Sequence, residues 1–275
     1  MSTGATSHDY AASAAVTVRG RGETVVLMLH GLGGDRDQPL GLLGRHVDPR
    51  LTIVAPDQRA HGETPTIGVA EDFRLDGLAD DAVALLSSRG LQGRPLIVVG
   101  ISMGAAVALR LLQRDDHDLR GALLIRPAFQ TEPWPEHLLV FNQIAELLRA
   151  HGAAAGQDAF TSTPEYLRVA AVSATGAQSL KEQFTKPHAV DRVVRLETVP
   201  ANPSITWQGA WHPPCPVTVV GAEDDPVHPW PTAQLWQERI ASSDLTALPS
   251  RDRAAEAYSR TLLEVTAARL EGWTG

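Results

Sequence analysis

The sequence predicts an α/β fold: a mostly parallel sheet flanked by helices, with a helical cap inserted. Three observations carry this. Short, almost wholly apolar runs recur between helical patterns, as strands buried on both faces of a parallel sheet require. The strand signal then vanishes for some 87 positions, 127–213, and returns afterwards. Finally, "GISMG" (100–104) ends one apolar run and begins a helical one, a strand turning sharply into a helix.

The elements follow in order. Residues 1–12 are small and polar and are expected to be disordered. From 13 to 126 the runs "AAVTVRG", "TVVLMLH", "LTIVAP", "PLIVVG" and "GALLIRP" read as strands. Between them, "FRLDGLADDAVALLSSRG" places Leu75, Leu78, Ala79, Ala82, Val83, Leu85 and Leu86 on one broad helical face. In the cap, "PEHLLVFNQIAELLRAHG" and "TGAQSLKEQFTK" read as helices broken by Pro and Gly. Its Trp134, Leu138, Phe141, Phe160, Tyr166, Phe184 and Trp207 are expected to form the cap's core and to line a pocket against the sheet. From 214 to 275, "PCPVTVVG" and "LTALP" are strands, "WPTAQLWQERI" and "DRAAEAYSRTLLEVTAARLEGW" helices.

Composition narrows the function. In 275 residues, 43% hydrophobic and 20% charged content suits one domain with a real core. A net charge of −8 with no Lys/Arg cluster argues against nucleic acid and anionic membranes. No basic-then-apolar leader opens the chain, and no apolar run reaches the roughly 18 residues of a membrane span. Cys215 is the lone cysteine, so no internal disulfide forms; a reducing, cytoplasmic setting is expected. The partner expected is a small-molecule or peptide substrate, with no cofactor and no metal. "GLGGDRD" lacks the Gly-Lys-Ser/Thr ending of a phosphate loop.

The chemistry lies at strand ends. An elbow forces Ser102 into strained backbone angles, its glycines let strand and helix pass closely, and the helix N-terminus lends Ser102 partial positive charge. In "MLHGLGGDRDQ" the glycines let backbone N–H groups point inward, and the amides of Leu32 and Met103 are the natural oxyanion-hole pair. His30 and Gly31 open that loop beside the expected substrate. "ALLIRPAF" ends a buried strand on Arg126, whose permanent charge needs a carboxylate: an internal Asp224 or Asp225, or that of a substrate.

The order "HGLGG", "DQRAHG", "GISMG" resembles the α/β-hydrolase fold superfamily over nearly the whole chain, with a cap after the family's sixth strand. The resemblance implies that Asp57, Arg59 and His61 brace their loop and that "VVGAEDDPVHP" (219–229) is the acid loop. Asp225, four residues before Pro229, is favoured over Asp224 as the acid. The family's histidine belongs near Ser250 to Asp252, where the text reads "LPSRDR". The last histidine, His228, stands only three residues after Asp225, too near to fit between acid and serine. Ser102 is therefore expected to lack the usual base, with His30, His212 and His188 as substitutes to weigh. On this reading the chain is similar to the atypical group that includes the bottromycin peptide epimerase. The expected function is an atypical enzyme of specialised metabolism acting on an acyl, ester or peptide-like metabolite. A non-hydrolytic epimerase or binding protein, and a serine esterase with a relocated histidine, are the alternatives. Ser102 is expected at the base of the largest apolar pocket.

Overall fold

The computed structural model describes residues 5–43, 48–114 and 117–274. Seven strands form one sheet: β1 (Val16–Gly20), β2 (Thr24–Leu29), β3 (Leu51–Pro56), β4 (Leu96–Ile101), β5 (Leu119–Ile125), β6 (Val217–Ala222) and β7 (Asp244–Leu248), in the spatial order β1-β3-β2-β4-β5-β6-β7. Among the described residues only β1 runs antiparallel, paired with β3. The other pairs are parallel, as the alternation of apolar runs and helices requires.

Every residue of β2, β3, β4 and β6 is buried, and the strand's period of two divides them between two cores. Val25, Leu27 and Leu29 join Val98, Ala106 and Leu109 on one face. Val26 and Met28 join Ile97, Val99, Tyr258 and Leu262 on the other. The helices are α1 (Ser7–Ser13), α2 (Asp37–Leu40), α3 (Leu75–Ser88), α4 (Met103–Leu112), α5 (Leu139–Phe160), α6 (Pro164–Val172), α7 (Ala174–Thr185), α8 (Val194–Thr198), α9 (Trp230–Arg239) and α10 (Ala255–Trp273). The buried side of α3 carries Leu75, Leu78, Ala79, Ala82, Leu85 and Leu86 of the face read from its periodicity, together with Asp81, while Val83 is half-buried at its edge.

Disorder over 1–12 is corrected where the chain is described. Residues 7–13 are a helix, opened by a capping box between Thr6 and Asp9. Tyr10 anchors it, 1% exposed, with its hydroxyl donating to the Asp57 carbonyl at 3.3 Å. One buried aromatic offsets a polar composition. The expectation for residues 1–4 lies outside the described residues.

Between β5 and β6 the described elements are helical, α5 to α8 with short 3₁₀ turns. At Gly152 (φ 72°) the long α5 breaks its direction. Leu138, Phe160 and Phe184 pack in the cap's interior. Asp252, in the segment where the family's histidine would stand, holds the cap instead. Its carboxylate accepts from Ser173 Oγ, Thr175 N and Thr175 Oγ1, at the start of α7. Among the described residues no helix is long and apolar enough to cross a membrane.

Candidate active site

Ser102 sits where β4 becomes α4, with φ 53° and ψ −110°. A non-glycine residue there costs about 1–3 kcal/mol, which the surroundings must over-determine. The Ser102 amide donates to Ile125 O at 2.8 Å, tying the corner to β5. A β-carbon on Gly100 would lie 2.2 Å from Gly104 O, and one on Gly104 2.2 Å from Leu29 O. Both glycines are thus required by close backbone passage.

The glycine loop is ordered around the same point. Gly31 N donates to Gln38 Oε1 at 2.7 Å, and Gly34 N to Gly31 O at 2.9 Å. A β-carbon on Gly31 would stand 3.3 Å from Ser102 Cβ, so this backbone passes directly over the serine. Neither the Leu32 nor the Met103 amide has an acceptor among the described residues. Two unoccupied donors beside a strained serine suit an oxyanion that forms only during reaction.

The histidine is the main departure from the sequence reading. His228 Nε2 lies 2.9 Å from Ser102 Oγ, and His228 Nδ1 lies 3.0 Å from Asp225 Oδ1. The expectation that His228 stands too near Asp225, and that no histidine links Ser102 to an acid, is corrected. The reason is local. Asp225 Oδ1 accepts the N–H groups of Val227 and His228 at 3.1 and 3.0 Å. The aspartate thereby folds its own loop into a turn, as Asx motifs do. That turn swings the ring of the third residue onto the carboxylate and across the end of β6 towards β4. The D-x-x-H spacing was the signal available in the sequence.

The three substitutes weighed in the sequence, His30, His212 and His188, do not reach Ser102. His30 is fully buried: Nδ1–H donates to Gly31 O at 2.8 Å, and Nε2 accepts the Gln58 amide at 2.9 Å. Burial lowers its pKa to about 4. It braces the glycine loop, which corrects its placing among the substrate contacts. His212 and His188 are exposed, His188 facing Asp191. Bracing also describes Asp57, which accepts from the amides of Arg36 and Glu63, and Arg59, which pairs with Asp81 at 2.8 Å.

Arg126 leaves β5 with φ 51°, its amide held by Val220 O. Its Nε donates to Asp225 Oδ2 at 2.7 Å, so the internal acid is its partner. Its Nη2 also lies 2.9 Å from His228 Nδ1. Arginine has no lone pair to offer, and Nδ1 is within 3.1 Å of both carboxylate oxygens. A bare Nδ1 lone pair there would face two anionic oxygens. The carboxylate decides the tautomer: Nδ1–H donates to Asp225, leaving Nε2 to accept from Ser102. Burial alone would raise the Asp225 pKa, but Arg126 and His228 outweigh it and hold the carboxyl well below its ordinary range. For His228, burial is the largest influence and lowers the pKa; Asp225 raises it, Arg126 lowers it again, and the net shift is downward. With its pKa below the ordinary value the imidazole is neutral at pH 7, the form in which a histidine can accept a proton. Asp224, the rejected acid, turns away to Arg253.

The cavity above Ser102 measures about 90 Å³ and is lined by Gly31, Leu32, Phe141, Leu180, Val227 and Arg251, with Ser102, Asp225 and His228, among others. It is not the largest: a cavity of about 520 Å³ lies in the cap beside Phe184, and one of about 260 Å³, lined largely by charged residues, lies on the far stretch of the glycine loop. The expectation of a dominant apolar pocket at Ser102 is corrected. α7 closes over the serine, and Gln183 of that helix donates to Leu32 O at 3.5 Å.

A strained serine on a strand-to-helix elbow, two open amides and a histidine–aspartate pair define a hydrolase-like centre on a parallel sheet. A family model described as alpha/beta hydrolase fold matches residues 24–251, and the chain belongs to that family. An uncharacterized hydrolase, YraK, of Bacillus subtilis is 34% identical over 97 residues, covering 35% of this chain and 34% of its own. Lipase LipV of Mycobacterium tuberculosis is 29% identical over 159 residues, covering 57% and 52%. The chain thus spans about a third to a half of these curated relatives. Among solved structures, the bottromycin epimerase BotH in complex with bottromycin A2 superposes with a TM-score of 0.62 at 22% identity, covering 92% of this chain and 93% of that one. That likeness is one of fold.

Proposed function

We propose that the protein is a serine hydrolase acting on the ester or related acyl bond of a small molecule, with Ser102, His228 and Asp225 as its triad. The carrying observation is His228, which contacts Ser102 Oγ through one ring nitrogen and Asp225 through the other. In the reaction His228 Nε2 takes the Ser102 hydroxyl proton as Oγ attacks the substrate carbonyl carbon. The carbonyl π electrons move to oxygen, and the Leu32 and Met103 amides receive that oxyanion. Collapse expels the alcohol, which takes the proton from Nε2, and leaves an acyl ester on Ser102. Water, deprotonated by the same Nε2, then releases the acid and restores the serine. Asp225 accepts from Nδ1–H throughout and steadies the transient imidazolium. The small cavity favours short acyl groups. Likeness to an epimerase in fold does not bring that activity here, since that reading drew its weight from a missing base.

The test is hydrolysis of p-nitrophenyl acetate and butyrate, with labelling by a fluorophosphonate. The wild type should turn over and take one label on Ser102. Ser102→Ala and His228→Ala should each lose about 10⁴–10⁶ in turnover. A wild type that neither hydrolyses nor labels, or a His228→Ala variant of undiminished rate, would refute the proposal.

A further inference from the structure

Two cap arginines are buried with no carboxylate in ion-pair contact among the described residues. Arg192 is 5% and Arg195 1% exposed. They stand three residues apart, at and just before α8, so their side chains share one face. Arg192 donates to the carbonyls of Gly62 and Thr64, and Arg195 to that of Ala60, each at 2.8 Å. The Nε of each has no partner, and neither forms an ion pair among the described residues. Burial lowers the Arg195 pKa only to about 10, so it stays charged at neutral pH. An uncompensated buried charge is costly, and folded proteins ordinarily pair it.

Both arginines line the 260 Å³ cavity, together with Lys186, His61 and the glycines Gly33 and Gly34. His61 contributes a further unpartnered atom. Its Nδ1–H donates to Arg59 O at 2.7 Å, which leaves a bare lone pair on the buried Nε2. Of the acids on the wall, Asp57 and Glu63 are both taken by Arg36. Asp35 and Asp37 reach neither of the two arginines. Three of the residues that line the cavity thus carry a buried, unpartnered nitrogen just behind its wall: Nε of Arg192 and of Arg195, and Nε2 of His61.

We infer that this cavity is a binding site for hydrogen phosphate or a phosphomonoester, separate from the Ser102 centre. A phosphate oxygen accepts from the paired guanidiniums, and a protonated phosphate oxygen donates to His61 Nε2. The site adjoins the glycine loop one residue beyond Leu32, so an occupant bears on the loop that carries the oxyanion-hole amide. The inference does not rest on the proposed hydrolysis.

The experiment is thermal unfolding and calorimetric titration of the full chain with inorganic phosphate, against potassium chloride at equal ionic strength. Phosphate should raise the melting temperature of the wild type and of Ser102→Ala alike. In Arg195→Gln and Lys186→Glu its affinity should fall by about tenfold or more, since a charged hydrogen-bond partner is lost or a tethered carboxylate competes. Lys186 braces no loop carbonyl, so Lys186→Glu decides the matter if Arg195→Gln fails to fold. A wild type indifferent to phosphate would overturn the inference. So would binding unchanged in the foldable variants, or binding lost in Ser102→Ala.

Discussion

Replacing Arg126 with glutamine tests the electrostatics of the proposed triad directly. The guanidinium carries its charge beside His228, which in the proposed mechanism must itself become positive. Nη2 is 2.9 Å from His228 Nδ1, and Nε is 2.7 Å from Asp225 Oδ2. At a charge separation of about 4 Å and an effective dielectric near 20, the repulsion between guanidinium and imidazolium is about 4 kcal/mol. The Arg126 side chain is 16% exposed, and Asp225 attracts both cations. Solvent screening and the shared counter-ion reduce the net effect to about 1–2 kcal/mol. The sign follows from His228 needing to be neutral. Arg126 lowers its pKa, so the wild type should keep its activity below the pH at which an ordinary histidine would protonate. In Arg126→Gln the acid limb of the kcat/KM profile should move to higher pH by about one unit, at about 1.4 kcal/mol per unit. The assay is ester hydrolysis from pH 4.5 to 9, with the unfolding temperature measured alongside. An acid limb that stays in place while the variant remains folded would refute the reasoning. It would mean that Arg126 only fastens Asp225.

Three further outcomes are expected. Arg59→Met should destabilise the fold by about 3–5 kcal/mol in chemical unfolding, because Asp81, 3% exposed, loses its buried partner. Gly104→Ala should cost about 1–3 kcal/mol or more and depress turnover, because the new β-carbon meets Leu29 O at 2.2 Å and must push α4 from β2; equilibrium unfolding with parallel kinetics checks both. Asp252→Ala should leave Ser102 labelling intact while stability falls by about 1 kcal/mol, since Asp252 caps α7 from an exposed position; limited proteolysis of the cap gives an independent readout.

By itself the sequence determined whatever depends on neighbours along the chain. Apolar runs of about six residues define strands buried on both faces, and the glycines around Ser102 define an elbow because only glycine allows backbone to pass that closely. The same locality singled out Leu32 and Met103 as an oxyanion pair and Asp225 as an acid, roles that the proposed mechanism adopts. It misled over residues 7–12, where polar composition concealed the single buried tyrosine that holds a helix to the core. Only the tertiary structure brought His228 to Ser102. That contact depends on the direction of a turn after β6, and on β4 ending within reach of it two strands away. The turn is set by the Asp225 side chain bonding to its own backbone, and the reach by the stagger of parallel strands. Charge pairing was settled in the same way. Arg126 needed an acid, and the sequence left that acid open between internal and substrate carboxylates. Arg192 and Arg195 carried no sequence signal at all, because burial, not residue type, turns an arginine into an unpaired charge.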